Sequence, residues 1–481
     1  MTINSKRDNH SYLRFLSFVL LSAWVFWAAY GLYLDYSFWH DELYSIATSK
    51  NIFPERLRTY LVDVHPPLYH ELLSLWVILF SDSEFSARFL SVIFVSLSFL
   101  SFAVIKRKFG VALAFLTFDC FLANSLVYYY AQEARPYGLL LLLSAFVTFF
   151  FISGDRRAIF VFLVPLGFTH FYGAMLAGLV CLYMLFDWTT SRSEKMYSLI
   201  GICSCLIWPT VYIWAGSGAE VIGGNFWITT SSMGTVMNGF SAASPIVMSL
   251  INKLTPLGSA FLFGLIIAVF LKSYKASSKD SRIAMNQALY ILIGTTVIAA
   301  LIGLHTPTST IRNHIIVVPA ASFLIGITAW EMLKVGPRWL MVILILAYVT
   351  VGQVQIMQSL RDKLTPHQDW RLTSQLAESE VAADRLFVWG GRDDRLPFNF
   401  NLIRKAHYLT DGHHAELVSM DGIFKLNSGD VLLFGHVPPN TKWSEPCGNK
   451  ITDALSYIGK DYVAHFTTQG WTCQNGYIVI Q

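Results

Sequence analysis

Residues 14–34 read RFLSFVLLSAWVFWAAYGLYL, and residues 35–45 continue DYSFWHDELYS. The first stretch is 21 residues long with one charge at its edge, enough helix to cross a hydrocarbon core of roughly 30 Å. The second turns polar at once, and Trp39-His40-Asp41-Glu42 places two adjacent carboxylates just beyond the membrane edge. A bare span followed by an acidic, aromatic loop sets how the remaining sequence is read.

Apolar stretches recur at 86–105, 111–130, 137–153, 158–170, 172–188, 197–215, 254–271, 285–304, 314–333 and 338–357. With 14–34 they predict about eleven spans of transmembrane helix. Residues 66–80 are apolar but only about four turns long, which suits a helix lying in the interface. The whole chain is 54% hydrophobic and 14% charged, against about 25% charge in soluble proteins. That deficit is uneven. Residues 1–358 hold 40 charged side chains in 358, whereas residues 359–481 hold 26 in 123, close to the globular norm. The expected fold class is therefore a polytopic α-helical membrane protein with a C-terminal α/β domain. The membrane domain covers 1–358, with a large first external loop at 35–85, and the soluble domain covers 359–481. A cytosolic enzyme, a disordered chain, a collagen and a disulfide scaffold are excluded by this composition. No basic run interleaved with aromatics suggests a nucleic-acid partner; the partner implied is the lipid bilayer.

Charge placement orients the spans. With eleven spans, sixteen of the 23 Lys and Arg in residues 1–358 fall on one side, Lys106-Arg107-Lys108 among them. Translocating basic short loops is disfavoured, so that side and the N-terminus are expected in the cytoplasm. A retained first span is expected rather than a cleaved signal, because the apolar run is long for a signal peptide and no A-x-A site follows. The C-terminal domain then lies outside. In that oxidising compartment a Cys447–Cys473 disulfide is expected, while Cys120, Cys181, Cys203 and Cys205 fall in apolar segments as small buried hydrophobes.

Acids sort to the other side. Ten of the 17 Asp and Glu in residues 1–358 fall outside, eight of them in the 35–85 loop, so chemistry is sought there. Asp41-Glu42 can supply a general base and a neighbouring carboxylate; a helix first turn also favours acids. Asp63-Val64-His65-Pro66-Pro67-Leu68-Tyr69 predicts a helix start after the prolines, with free N–H groups beside His65 as an anion site. Tyr128-Tyr129-Tyr130-Ala131-Gln132-Glu133-Ala134-Arg135-Pro136-Tyr137 ends the third span with a Glu133–Arg135 pair at the same surface. Thr308-Ser309-Thr310-Ile311-Arg312-Asn313-His314 opens another span, where Arg312 can clamp a phosphate or snorkel.

The order of these pieces, with Ser83-Glu84-Phe85-Ser86-Ala87-Arg88-Phe89-Leu90 between them, resembles one group. The chain is similar to GT-C fold integral-membrane glycosyltransferases, such as protein O-mannosyltransferases and lipid A aminoarabinose transferases. The resemblance runs through about residues 10–320. It implies Asp41 as catalytic base with Glu42 as its partner, and a donor sugar carried on a polyprenyl phosphate. The acceptor would be an envelope lipid, glycan or protein, and the membrane a cytoplasmic (inner) membrane, with the C-terminal domain periplasmic or extracellular. Aminoarabinose transferases carry lysine before the Pro-Pro turn, where this chain has His65. A neutral imidazole brings no charge to a phosphate, so Arg135 and Arg312 join His65 as phosphate-binding candidates, supported by Glu133, Tyr137 and Tyr69.

Two alternatives stay open. His40, Asp41, Glu42, His65, His70 and Glu71 include ligand types for a divalent metal. Their spacing is not that of a zinc site, so no metal or cofactor is expected. Asp119, an acid near mid-membrane, raises a transporter or flippase as the rival activity, with a non-catalytic envelope scaffold behind it. In the tail, Leu386–Gly391 and Asp430–Gly435 read as strands and Leu372–Ala382 and Asn449–Tyr457 as helices. Trp370-Arg371 resembles a pair that opens the soluble domain of related transferases.

Overall fold

A computed structural model describes residues 11–34, 36–63, 65–215, 230–364, 370–380, 385–389, 407–409, 415–418, 426–434, 461–466 and 476–481. Cys447, Cys473 and the expected helix at 449–457 lie outside the described residues.

All eleven expected spans are helical. Helix α1 is Ser11–Tyr33, and α2 (His40–Lys50), α3 (Phe53–Val62) and α4 (Leu68–Leu79) form the following loop. Next come α5 (Glu84–Ser98), α6 (Phe102–Phe109), α7 (Val111–Leu122), α8 (Ser125–Ala131) and α9 (Tyr137–Ser153). They are followed by α10 (Arg156–Gly167), α11 (Phe171–Phe186), α12 (Arg192–Trp214), α13 (Ser232–Ala243) and α14 (Pro245–Ile251). The bundle closes with α15 (Pro256–Ala276), α16 (Lys279–Ile302), a 3₁₀ turn at Ile311–Val317 running into α17 (Val318–Val335), and α18 (Arg338–Leu364). Among the described residues, seven helices are long and apolar enough to cross a membrane, with α5 and α6 counted as one helix through a 3₁₀ turn at Phe99–Ser101, or eight if the bent α7–α8 pair counts as one span. The remaining expected spans, α9, α10 and α11, are 17, 12 and 16 residues long, short of the roughly 20 a helical crossing needs.

Local signals explain the breaks. Gly110, at φ 93°, separates α6 from α7, a backbone state that glycine reaches without penalty. The 64° bend between α7 and α8 falls at Ala123-Asn124. There the Asn124 side chain accepts from Leu126 N–H at 3.0 Å and donates to the Ala242 carbonyl at 2.9 Å, satisfying groups that a broken helix leaves free. Helix α4 buries Tyr69, His70, Leu73 and Ser74 while Leu75, Ile78 and Leu79 stay exposed. At 12 residues it is too short to span, in keeping with an interface helix.

Apolar contact holds the bundle together around Leu139, Leu140 and Leu141 of α9, Phe121 of α7 and Phe323 of α17, all at most 4% exposed. Downstream, α19 (Trp370–Glu380) packs against a five-stranded sheet. Its strands are β1 (Leu386–Trp389), β2 (Ala415–Val418), β3 (Val431–Phe434), β4 (Tyr462–Phe466) and β5 (Gly476–Ile480), in the order β2-β1-β3-β5-β4. Strand β1 runs parallel to β2 and β3, and β5 runs antiparallel to β3 and β4. Two of these strands, β1 and β3, and helix α19 are elements expected from the sequence.

Candidate active site

The two adjacent acids part company because consecutive helical residues point about 100° apart. Both sit in the first turn of α2. Glu42 is fully buried and turned inward: Arg88 of α5 donates to it through Nε at 2.9 Å and Nη2 at 2.6 Å. The backbone N–H groups of Ala134 (2.9 Å) and Trp39 (3.3 Å) complete its shell. Asp41 keeps a quarter of its side chain exposed, at the polar end of a cavity of about 690 Å³.

Two arginines meet Asp41 there. Arg312 Nη1 donates to Asp41 Oδ2 at 3.1 Å, and Arg135 Nη2 lies 3.7 Å from the same oxygen. Arg135 is otherwise tied down by Nη1 contacts to the Asp41 carbonyl (3.0 Å) and Ser45 Oγ (3.1 Å). Burial is the largest effect and opposes its charge, but the Asp41 carboxylate, Tyr137 and Asp63 together outweigh it, so the guanidinium is held above its usual range. Tyr137 lies beside Arg312, its ring centre 5.7 Å from the guanidinium carbon.

His65 steadies this group. Burial pushes its imidazole below the usual range despite Asp63 beside it, so it is neutral near pH 7. Its Nδ1 lies 3.1 Å from Asp63 Oδ1 and its Nε2 3.2 Å from Arg135 Nη2. Those partners fix the tautomer: Nδ1–H donates to the carboxylate, leaving Nε2 to accept from the guanidinium. The helix start beside it differs from expectation. The Leu68 N–H donates to the Phe168 carbonyl at 3.0 Å, so the first amide of α4 is already paired.

Asp41, His65, Arg135, Tyr137 and Arg312 thus line one cavity, drawn from separated parts of the chain. Glu42, Glu133 and Tyr69 are buried outside its lining. Sequence reading missed Asp63, His170, Tyr172 and Asn313, which also line it, and it gave Arg88 no role. Only Arg88 carried a signal, since a charge at the start of an apolar span requires a partner. Away from the polar end the walls are apolar, from Leu179 and Leu182 of α11, Ile202 and Leu206 of α12, and Ile298 and Ile302 of α16. Such a cavity presents two guanidiniums and a carboxylate to a polar headgroup and an oily wall to a hydrocarbon chain. Among the described residues no group of three or more His, Cys, Asp or Glu side chains is arranged to hold a metal ion.

No protein-family model matches the chain, and no curated protein matches it in sequence. Among solved structures, ArnT from Cupriavidus metallidurans superposes over nearly the full length, both in the apo state and bound to undecaprenyl phosphate. The TM-score is 0.58 in each case, at 14% and 13% identity, with 97% of this chain and 98% of the other covered. The chain has the ArnT fold. ArnT is a lipid A aminoarabinose transferase of GT-C type, so the architecture expected from the motif order is borne out. At such low identity it is the ArnT fold that is shared, and chemistry must be argued from the cavity.

Proposed function

We propose that this protein is a multi-pass inner-membrane glycosyltransferase. It moves a sugar from a polyprenyl-phosphate donor to an envelope lipid, glycan or protein on the external face. The observation that carries this reading is Asp41 between Arg135 and Arg312 where a polar pocket meets an apolar one. The acceptor hydroxyl attacks the anomeric carbon as the bond from that carbon to the phosphate oxygen breaks. Asp41 takes the hydroxyl proton. The phosphate leaves with the bond's electron pair, and Arg135 and Arg312 stabilise its charge. A single displacement inverts the anomeric carbon. Glu42 with Arg88 fixes the helix turn that presents Asp41, His65 with Asp63 orients Arg135, and Tyr137 backs Arg312.

The donor phosphate competes with the Asp41 carboxylate for the same two guanidiniums, and this gives a sharp test. Asp41→Asn should abolish sugar transfer in proteoliposomes while undecaprenyl phosphate binds at least as tightly, because a competing anion has gone. Arg312→Ala should weaken that binding by about 10–100-fold, the loss of a charge-assisted contact. Full transfer by Asp41→Asn would sink the assignment. The transporter reading rests on Asp119, which accepts from Ser17 Oγ at 2.6 Å between α1 and α7 and does not line the cavity.

A further inference from the structure

The reaction just proposed leaves Trp370-Arg371 without a task. Trp370 is 1% exposed and joins the apolar core of the membrane bundle, anchoring the start of α19 there. Arg371 pairs with Glu84 at the first turn of α5, and its backbone N–H donates to Ser37 Oγ at 3.3 Å. From farther along the chain, Tyr408 reaches the same place. Its hydroxyl donates to Glu84 Oε1 at 2.6 Å and accepts from the Phe38 N–H at 2.7 Å. The neighbouring His407 ring lies 5.7 Å from the Phe38 ring, centre to centre. Burial, with Glu84 beside it, pushes the Tyr408 phenol well up, so it keeps the proton it donates.

These contacts converge on residues 36–39, the segment that delivers Asp41. From the bundle side Arg88 donates to the Tyr36 carbonyl at 2.6 Å and the Ser37 carbonyl at 3.2 Å. Trp39 is the N-cap of α2, two residues before Asp41. The segment is therefore held from the bundle by Arg88 and from the C-terminal part by Arg371 and Tyr408.

We propose that Arg371 and Tyr408 form a clasp, closed on Glu84, through which the C-terminal part of the chain sets the position of Asp41. They are positioning residues, and the proposal rests on reading Asp41 as the base. Tyr408→Phe in the full-length protein removes only the hydroxyl. Amide exchange in the peptide spanning 36–44 should rise about tenfold, the protection lost with one hydrogen bond of ordinary strength. Sugar transfer should lose about 10–100-fold in kcat, with the donor KM within about twofold and a melting temperature lowered by no more than about 3 °C. Unchanged exchange overturns the clasp, and so does a raised KM at wild-type kcat. Should Tyr408→Phe fail to fold, Ser37→Ala, which removes the acceptor of the Arg371 amide, serves for the same two measurements. A wild-type protein with no transferase activity would defeat the proposed function instead, and exchange alone would then decide the clasp.

Discussion

Asp41 and Glu42 share a peptide bond and have opposite surroundings. Glu42 accepts from four donors inside the protein, two of them on Arg88. Removing one member of a buried ion pair leaves the other uncompensated, at about 3–5 kcal/mol. Arg88→Ala should therefore lower the melting temperature in detergent sharply, while Asp41→Asn, a quarter exposed at the cavity, should move it little. Equal losses would contradict the division of roles. His70 gives a second residue-scale test. It is fully buried, both ring nitrogens lack a partner among the described residues, and burial pushes its pKa down to about 3. The unfolded chain then binds a proton that the folded one refuses between about pH 6.5 and 3. Its contribution to stability is full above that window and is lost as pH falls through it. The melting temperature should drop between about pH 7.5 and 5, and His70→Gln should flatten the slope. The sequence showed the acidic pair as a place for chemistry. It held nothing to say which acid faces the cavity, because that depends on where Arg88 comes to rest.

At the scale of elements, the break between α7 and α8 matters most, since α8 leads into Gln132–Pro136 and so carries Arg135. Helix α18 crosses this break closely. A Cβ on Gly352 would stand 2.4 Å from the Ala123 carbonyl oxygen and 2.9 Å from the Ala123 Cβ. Both neighbours are short and fixed, so a methyl there must displace backbone. Gly352→Ala should cost about 1–3 kcal/mol by overpacking, read as a lower melting temperature; a neutral result would mean the two helices pack less closely. The spans were legible as apolar stretches, and the start of α4 as a Pro-Pro turn. The bend was not: residues 111–130 look like one continuous span, and only the Asn124 hydrogen bonds, one to distant α13, show why the helix turns there.

For the molecule as a whole, the sorting of bases and acids predicts which side each end occupies. Gln481, exposed after β5, should be outside. In a background without the six native cysteines, Gln481→Cys should react with a membrane-impermeant maleimide in cells whose inner membrane is intact. Labelling only after that membrane is opened would reverse the topology. Charge density tracks the solvent a segment meets, and on that ground the sequence predicts a bundle followed by a more polar tail. The tie between the two parts was not legible, because the Glu84–Arg371 and Glu84–Tyr408 contacts join residues 287 and 324 positions apart.

Hydropathy is a property of single segments, so the sequence by itself determined the membrane bundle, its apolar helices, and the 35–85 loop where acids, histidines and aromatics gather. It also supplied Asp41, His65, Arg135, Tyr137 and Arg312 as candidates. Only the tertiary structure decided that these five line one cavity, that Glu42 turns inward to Arg88, and that the C-terminal part grips the segment leading to Asp41. Each of those outcomes depends on distances between residues far apart in the chain, which packing sets and local pattern does not record.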